Sequence, residues 1–410
     1  MIFRANKNSI IITFKNKLIW FFLYLINIPF LFLIIIIFPI FKIRINQLET
    51  RSIGHFSIST EIFLAELRNK MHGKNPGLFV WFRNKKISNN FLLKKLKKEI
   101  LIGPRVIFKP IFSMINKIDM LSFLRSPFRH WKYLPSKEKT LWQIRDIHKV
   151  LQKIKPIIRF NKLEEKSCQN YLKKMNIYKE NYLCFFARTH HFRNDAPSVR
   201  DSNVDTQLPG IINNCKKNNF KAIRLGDNEQ KKITNKSKFL IDYSHSKYKS
   251  PILDLYLPMN CKFMVGASSG ISHMPILNRK KILITDFTQF HDLDYTPDYY
   301  IPILLPKKYK RISTNKIINY SEVFHLGLTK IQYDHELLKM GYVTVPNSKK
   351  EILLAINEMD KLVNSNKKFI EDTVLQKKFW KILRKYYKIA KPINLKISNN
   401  FLKLNKQYIN

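Results

Sequence analysis

The chain has 410 residues, too many for one ordinary core, so two domains are expected. Apolar residues make up 45% and aromatics 13%, which excludes wholesale disorder. Seventy-four Lys and Arg against 29 Asp and Glu leave a net charge of +45. Such a balance points to nucleic acid or an anionic membrane, but the chain is also rich in Lys, Asn, Ile and Phe and poor in Ala and Gly, as an AT-rich genome would make any protein. No aromatic-basic ribonucleoprotein box and no zinc-finger spacing occur, so nucleic acid is not expected as a partner.

A basic tail, 1–17, precedes an uncharged run, LIWFFLYLINIPFLFLIIIIFPIF, over 18–41. As a helix it would extend about 36 Å, enough for a hydrocarbon core of about 30 Å. A transmembrane or membrane-embedded segment is expected, with Pro29 and Pro39 able to kink it or turn it back. Basic residues flank it on both sides, so the charge rule does not settle orientation. The reading favours a membrane-associated protein whose large C-terminal part lies on the cytoplasmic face.

Residues 45–175 read as a first domain. Thr60-Glu61 opens a helix, GLFVWF (77–82) and RVIF (105–108) read as strands, and FLLKKLKKEI between them reads as a helix. Pro127 to Pro135 reads as a loop, and Leu141 to Ile157 as a helix. Residues 178–365 are more regular. YLCFFA, KAIRL, FLIDY, KFMV and KILIT are short apolar strands. Between them QLPGIINNCKKN reads as a helix with Pro209 and Gly210 in its first turn, PILDLYLPM as one capped by Ser250, and ISHMPILN as another. NSKKEILLAINEMDKLV follows, with Ser348 and Glu351 spaced as a capping box. Alternating strands and helices predict an α/β fold with a parallel sheet. The tail, 370–410, contains a basic amphipathic helix fit for a membrane surface or for packing on a domain. Four cysteines (Cys168, Cys184, Cys215, Cys261) lie far apart without a C-x-x-C pair, which argues against a disulfide framework.

Only ten glycines occur, and three of them, Gly226, Gly266 and Gly270, follow predicted strands. That is the carboxyl edge of a parallel sheet, where ligands bind in doubly wound folds. Gly266-Ala-Ser268-Ser269-Gly270 ahead of a helix offers amides and hydroxyls for an anion, most often phosphate; an ordinary tight turn is the alternative. Arg188 follows the first of these strands, in a loop that also holds His190, His191, Arg193, Arg200 and Asp201. Arg224 ends the next strand, just before Gly226 and Asp227. The planar fork of arginine suits a diphosphate.

The segment from about Tyr182 to Leu277 resembles a family of bacterial glycosyltransferases of surface-polysaccharide biosynthesis. The resemblance rests on Arg188, then R-D-S-N-V-D (200–205), I-R-L-G-D (223–227), I-D-Y-S-H-S (241–246), D-L-Y-L (254–257) and F-M-V-G-A-S-S-G-I-S (263–272). Ile53-Gly54-His55-Phe56 is similar to that family's early glycine loop. The sequence departs from the pattern at Asn203, where Asp is usual, and near Pro197, where His is usual. A more distant similarity runs to GDP-fucose-dependent fucosyltransferases.

The resemblance implies a GT-B architecture: two Rossmann-like domains facing a cleft, preceded here by the membrane segment, with the donor nucleotide in the C-terminal domain. It implies transfer of a hexosyl- or fucosyl-type sugar from a nucleotide-sugar to a glycan or lipid-linked acceptor. Arg188, Arg200, Arg224, Gly226, Asp227, Asp254, Gly266, Ser268, Ser269 and Gly270 are expected at the donor. Asp201 and His191 are the candidates for general base, and Gly54 and His55 are expected on the acceptor side. Fixed cations and amides could stabilise the leaving diphosphate, so no metal or other cofactor is expected. Asp292-Leu-Asp294 is a rival D-x-D of the metal-binding kind. A membrane-anchored nucleotide-binding or assembly protein without transfer activity is the alternative function.

Overall fold

The computed structural model describes residues 7–126, 146, 148–178, 181–190, 196–227, 230–295, 298–365, 370–387 and 395–409; side chains of 7–16, 292, 294, 295 and 298 are outside that description. The predicted loop from Pro127 to Pro135 lies outside the described residues, as do His191 and Arg193. The chain divides into two compact units, Met1–Gln143 and Ile144–Asn410. The C-terminal tail belongs to the second.

In the first unit the apolar run forms part of one continuous helix, α1 (Lys7–Phe41), so the prolines at 29 and 39 do not fold it back as a hairpin. Its stretch Lys17–Phe41 is long and apolar enough to cross a membrane by length and composition. Three parallel strands follow: β1 (Arg44–Leu48), β2 (Phe79–Arg83) and β3 (Leu101–Ile102), in the order β1-β2-β3. Between β1 and β2 runs α2 (Thr60–Arg68); α3 (Asn90–Leu96) is capped by Asn89, whose Oδ1 accepts from the Leu92 amide at 2.8 Å. Gly77, at φ +88, turns the chain into β2 where any Cβ would strike the Lys42 carbonyl.

RVIF is not a strand. It opens α4 (Arg105–Lys117), which starts at the N-cap Pro104. Its buried Pro110, Ile111, Phe112 and Ile115 recur at helical spacing, whereas the first four residues taken alone look β-like because they are β-branched and aromatic. Ile111, Phe112 and Ile115 pack with Leu31 and Ile34 of α1, Ile45 of β1, Phe82 of β2 and Leu124 in one core.

In the second unit the helix expected over 141–157 is described only as one turn, α5 (Val150–Lys153), ahead of Pro156. α6 (Lys162–Lys174) starts from a reciprocal capping box between Asn161 and Glu164. Then come β4 (Tyr182–Phe186), α7 (Val204–Asn218), β5 (Lys221–Arg224), β6 (Leu240–Asp242), α8 (Pro251–Asn260), β7 (Phe263–Gly266), α9 (Met274–Leu277), β8 (Lys281–Phe287) and β9 (Ile303–Pro306). A small antiparallel sheet, β10 (Lys308–Arg311), β11 (Lys316–Ile317) and β12 (Tyr342–Val345), is accompanied by α10 (Tyr320–His325) and α11 (Asp334–Lys339). The chain ends with α12 (Lys349–Asn364), α13 (Val374–Tyr386), β13 (Lys396–Ile397) and α14 (Asn399–Leu404). The main sheet is wholly parallel, in the order β13-β9-β8-β7-β4-β5-β6. Numbered along the chain, its first six strands stand 3-2-1-4-5-6, the doubly wound Rossmann order.

Two helix starts differ from expectation. Asn203 caps α7, so Pro209 and Gly210 fall in its interior rather than its first turn. The N-cap of α8 is Ser250, but its hydroxyl makes no capping bond; Pro251 opens that helix as expected. The capping box of Ser348 and Glu351 is present on α12. The amphipathic tail helix α13 is a packing helix: Phe379 and Leu383 are fully buried, and the Phe379 ring meets Phe290, Tyr320 and Phe324.

Gly210 has a specific use. A Cβ there would sit 2.8 Å from the Leu353 Cα, so α7 and α12 approach backbone to backbone. Gly210→Ala gains about 1 kcal/mol of helix propensity but forces two helices apart, for which overpacking costs of about 1–3 kcal/mol are typical. The substitution is therefore expected to lower the urea midpoint; an unchanged or raised midpoint would contradict this packing.

Candidate functional site

All strands of the main sheet end at one edge. From β4 the chain winds to β5 and β6 on one side, then crosses to β7 on the other. Connections leaving adjacent strands in opposite directions open a crevice at their carboxyl ends. The crevice therefore lies between the end of β4, which leads to Arg188, and the end of β7, which leads to Gly266–Gly270. Gly266 pairs directly with Phe186, and the Phe186 ring fills the space a Cβ at 266 would need. Gly266 thus lets β4 and β7 close up at the crevice floor.

Ala267 is buried, while Ser268, Ser269 and Gly270 are half-buried. Ser268 Oγ donates to Gln289 Oε1 at 3.3 Å. Ser269 starts a single 3-10 turn, Gly270–His273, in which the Ser272 amide and hydroxyl both bond the Ser269 carbonyl. The expected helix is only this turn plus the four residues of α9, so its dipole is small. The groups the loop offers an anion are amides and hydroxyls instead. Beneath the loop, burial holds the His273 imidazole below its ordinary pKa despite hydrogen bonds to the Gly270 and Ser269 backbone; it is neutral at pH 7.

Arg188, Asp201 and His190 meet. The Arg188 guanidinium donates to Asp201 Oδ1; Asp201 Oδ2 lies 2.8 Å from His190 Nδ1 and accepts from the Ser198 amide at 3.2 Å. The loop carrying Asp201 is tied to β4 by Ser202, whose amide donates to the Arg188 carbonyl and whose hydroxyl accepts from the Arg188 amide, each at 3.0 Å. Its other end is tied to Lys307, just past β9. Nζ of Lys307 donates to the Val199 and Asp201 carbonyls at 2.8 and 2.6 Å. Burial lowers the Lys307 pKa, opposed by the nearby Asp286, Asp334 and Asp201. Both Asp201 oxygens are engaged, Oδ1 by Arg188 and Oδ2 by His190 and the Ser198 amide, so the carboxylate ties these groups together. With Nδ1–H given to the carboxylate, the imidazole lone pair is on Nε2. His191, the residue expected in that role beside Asp201, lies outside the described residues.

At the next strand end Arg224 is only 2% exposed. It donates to the Lys231 carbonyl, to Asp242 Oδ2 and to Gln230 Oε1 at 2.7, 3.2 and 3.1 Å. Contact with a ligand would require those bonds to break; as placed, Arg224 braces the β5–β6 connection. Gln230 in turn donates to the Ala187 carbonyl at 3.2 Å, linking that brace to the end of β4. Gly226 has φ +135, and a Cβ would meet Gln230 Oε1 at 2.9 Å; Asp227 beside it is half-buried. Asp254, near the start of α8, accepts from the Tyr243 hydroxyl at 2.9 Å, and burial raises its pKa. Arg200 is half-buried, its amide 3.4 Å from Ser198 Oγ.

Gly54 and His55 belong to the first unit. Gly54 is buried in right-handed helical geometry and caps a π-helical turn, His55–Ser59, that runs into α2; such turns are frequent at functional sites. Asp292 and Asp294 fall in a 3-10 segment, Phe290–Tyr295, and their side chains are outside the described ones.

Sequence reasoning missed Lys307 and Asp286. Asp286 sits at the end of β8 with φ +52, its carboxyl buried and its pKa raised by that burial; Oδ1 accepts from the Asn347 amide at 2.8 Å. Neither residue lies in a glycine-marked turn, the signal that drew attention to the other strand ends.

No protein-family model matches the chain, and no curated protein matches it. Two solved structures do. One is the E. coli ADP-heptose LPS heptosyltransferase II (TM-score 0.35, 10% identity, 59% of this chain and 84% of that one). The other is the E. coli heptosyltransferase WaaC with ADP (TM-score 0.33, 10% identity, 59% and 86%).

One consequence concerns Asp242, which anchors Arg224. Burial raises its pKa, but hydrogen bonds from the Ile233 amide and Ser244, the Arg224 charge and His245 outweigh that and hold it below 3.8. A depressed carboxylate stabilises the fold above its unfolded pKa and loses that contribution as pH falls through its folded value. Asp242→Asn is expected to lower stability by about 1–3 kcal/mol at pH 7, with the gap to the parent closing below pH 3.8. Urea titrations at pH 7 and pH 3 check this; an equal gap at both would contradict it.

Proposed function

We propose that the chain is a GT-B-type glycosyltransferase that moves a sugar from a nucleotide-sugar to a surface-polysaccharide or lipid-linked glycan acceptor. The observation that carries the reading is the meeting of Arg188, Asp201 and His190 past the end of β4, whose paired neighbour β7 leads into Ala267–Gly270, where the winding of a Rossmann-ordered sheet reverses. The resemblance of residues 182–277 to surface-polysaccharide glycosyltransferases supports it independently.

Transfer needs a diphosphate stabilised as it departs and an acceptor hydroxyl deprotonated as it attacks. Arg188, oriented by Asp201, supplies fixed positive charge to the diphosphate. The amides and hydroxyls of Ser268, Ser269 and Gly270 receive its oxygens, and Arg200 adds a second cation. His190, polarised by Asp201, takes the proton. Arg224, Gly226, Asp227 and Asp254 shape the strand ends on the nucleoside side. Gly54 and His55 serve the acceptor from the first unit. No metal is required in this reading, because the cations are side chains. The protein works at a membrane, with the catalytic unit on its cytoplasmic face.

A thermal-shift screen of full-length protein against ADP, GDP, UDP, CMP and their sugars, with and without EDTA, tests the reading. One nucleotide is expected to raise the Tm by several degrees, equally in EDTA. Arg188→Ala should lose most of that shift. His190→Gln should keep it while transfer from the matching sugar nucleotide falls at least a hundredfold. A nucleotide shift with no transfer to any glycan or lipid-linked acceptor would instead favour a nucleotide-binding assembly protein. A shift abolished by EDTA would refute metal-free binding.

A further inference from the structure

We infer that α1 is a monotopic membrane element: it lies along one leaflet of an anionic bilayer instead of crossing it. This holds whatever group the site transfers, because every observation behind it lies in the first unit.

Length and composition alone permit a span. The contacts of α1 argue otherwise. Trp20, Tyr24, Asn27, Leu31, Ile34 and Phe38 fall at alternating spacings of four and three, one stripe of a helix. Each is engaged by the folded unit. The Lys109 ammonium stands 4.1 Å over the Trp20 ring, and the Tyr24 hydroxyl meets Ser113 Oγ at 2.9 Å. Asn27 is buried, its amide shared between the Leu23 and Val106 carbonyls. Leu31 and Ile34 sit in the core with Ile111 and Phe112, and the Phe38 ring meets Phe123 at 4.7 Å. The engaged stripe covers about 27 Å of helix, most of a hydrocarbon thickness.

A spanning α1 would therefore carry α4 into the bilayer with Arg105, Lys109 and Lys117 on it. Arg105, next to the Val106 whose carbonyl meets Asn27, would lie near mid-depth, where a cation costs about 2.5–3.5 kcal/mol even on the mildest scale. Lying in the plane avoids this. Phe22, Ile26, Leu33, Ile36 and Ile40 form the opposite stripe and are each more than half exposed. Apolar all round is what a helix needs between a protein core on one side and acyl chains on the other. Met120, 87% exposed, and Phe123 beside Phe38 extend the apolar surface beyond α1.

Charge selects the kind of bilayer. At the start of α4, Arg83, Lys85, Lys97 and Arg105 line an open cleft of about 400 Å³ whose lining holds no carboxylate. Lys109 and Lys117 continue the positive charge along α4, over the Trp20 and Tyr24 rings of α1. Basic side chains flanking an inserted apolar face are suited to anionic headgroups.

The test adds full-length protein from detergent to preformed sealed vesicles of 70% phosphatidylcholine and 30% phosphatidylglycerol. The four native cysteines are buried, so a cysteine introduced as Asn8→Cys or, on the exposed surface of the second unit, Lys236→Cys can be read with a membrane-impermeant maleimide. Both are expected to label to the same extent before detergent. Labelling of Asn8→Cys only after detergent would show a span and overturn the inference. Partition is expected to be at least tenfold stronger than to pure phosphatidylcholine, and Ile36→Glu/Ile40→Glu should abolish it with the thermal melt preserved. If that variant still bound vesicles while a parent dimer became monomeric, a second copy would be the partner of this face, and the inference would fail.

Discussion

The close approach of β4 and β7 at Phe186 and Gly266 is what the rest of the second unit depends on. The aromatic ring lies where any side chain at 266 would have to be. Because these two strands are neighbours, the chain must wind away from them in opposite directions, and both following loops open above the same point of the sheet edge. A larger residue at 266 would part the strands and, with them, the Arg188 and Ser268–Ser269 loops.

Above that floor the electrostatics are arranged in tiers. Arg188 and His190 share one carboxylate, Asp201, and the backbone holding Asp201 is pinned by the buried ammonium of Lys307. Lys307 in turn is surrounded by Asp286 and Asp334 as well as Asp201, so its charge is compensated though it is cut off from water. A second brace, from Asp242 through Arg224 and Gln230, reaches the Ala187 carbonyl from the other side. Arg188 is thus fixed from both flanks; in the proposed reading it faces the departing diphosphate, where a fixed cation is worth more than a mobile one.

Five strands of the second unit, β4 to β8, are legible as short apolar runs bounded by polar turns, and the strand-end glycines mark the edge; β9 to β13 are not, because β10, β11 and β13 carry lysines within very short runs and β9 and β12 lie in the stretch past the last of those runs. The order of those strands was not legible. Pairing β4 with β7 joins residues about eighty positions apart, and nothing local in either strand encodes it. RVIF shows the opposite failure, a β-like tetrapeptide drawn into α4 by the apolar spacing of residues further on. Pro209 and Gly210 misled for a related reason. Both suggested a helix start, yet the glycine serves the contact with Leu353, which only tertiary structure reveals. Asn203, which stands where the glycosyltransferases that residues 182–277 resemble usually carry Asp, serves as the cap of α7, a role Asn and Asp fill equally well. The apolar run before β1 gave its length and composition, while its division into a protein-facing and a lipid-facing stripe needed α4 in place.

Hydrogen–deuterium exchange of the full-length protein with and without a saturating nucleoside diphosphate tests the central claim most directly. Protection is expected at peptides covering 186–190, 198–202 and 266–272, with residues 79–102 unchanged. Saturating binding with protection confined to the first unit, or to segments away from the ends of β4 and β7, would contradict the assignment of the crevice.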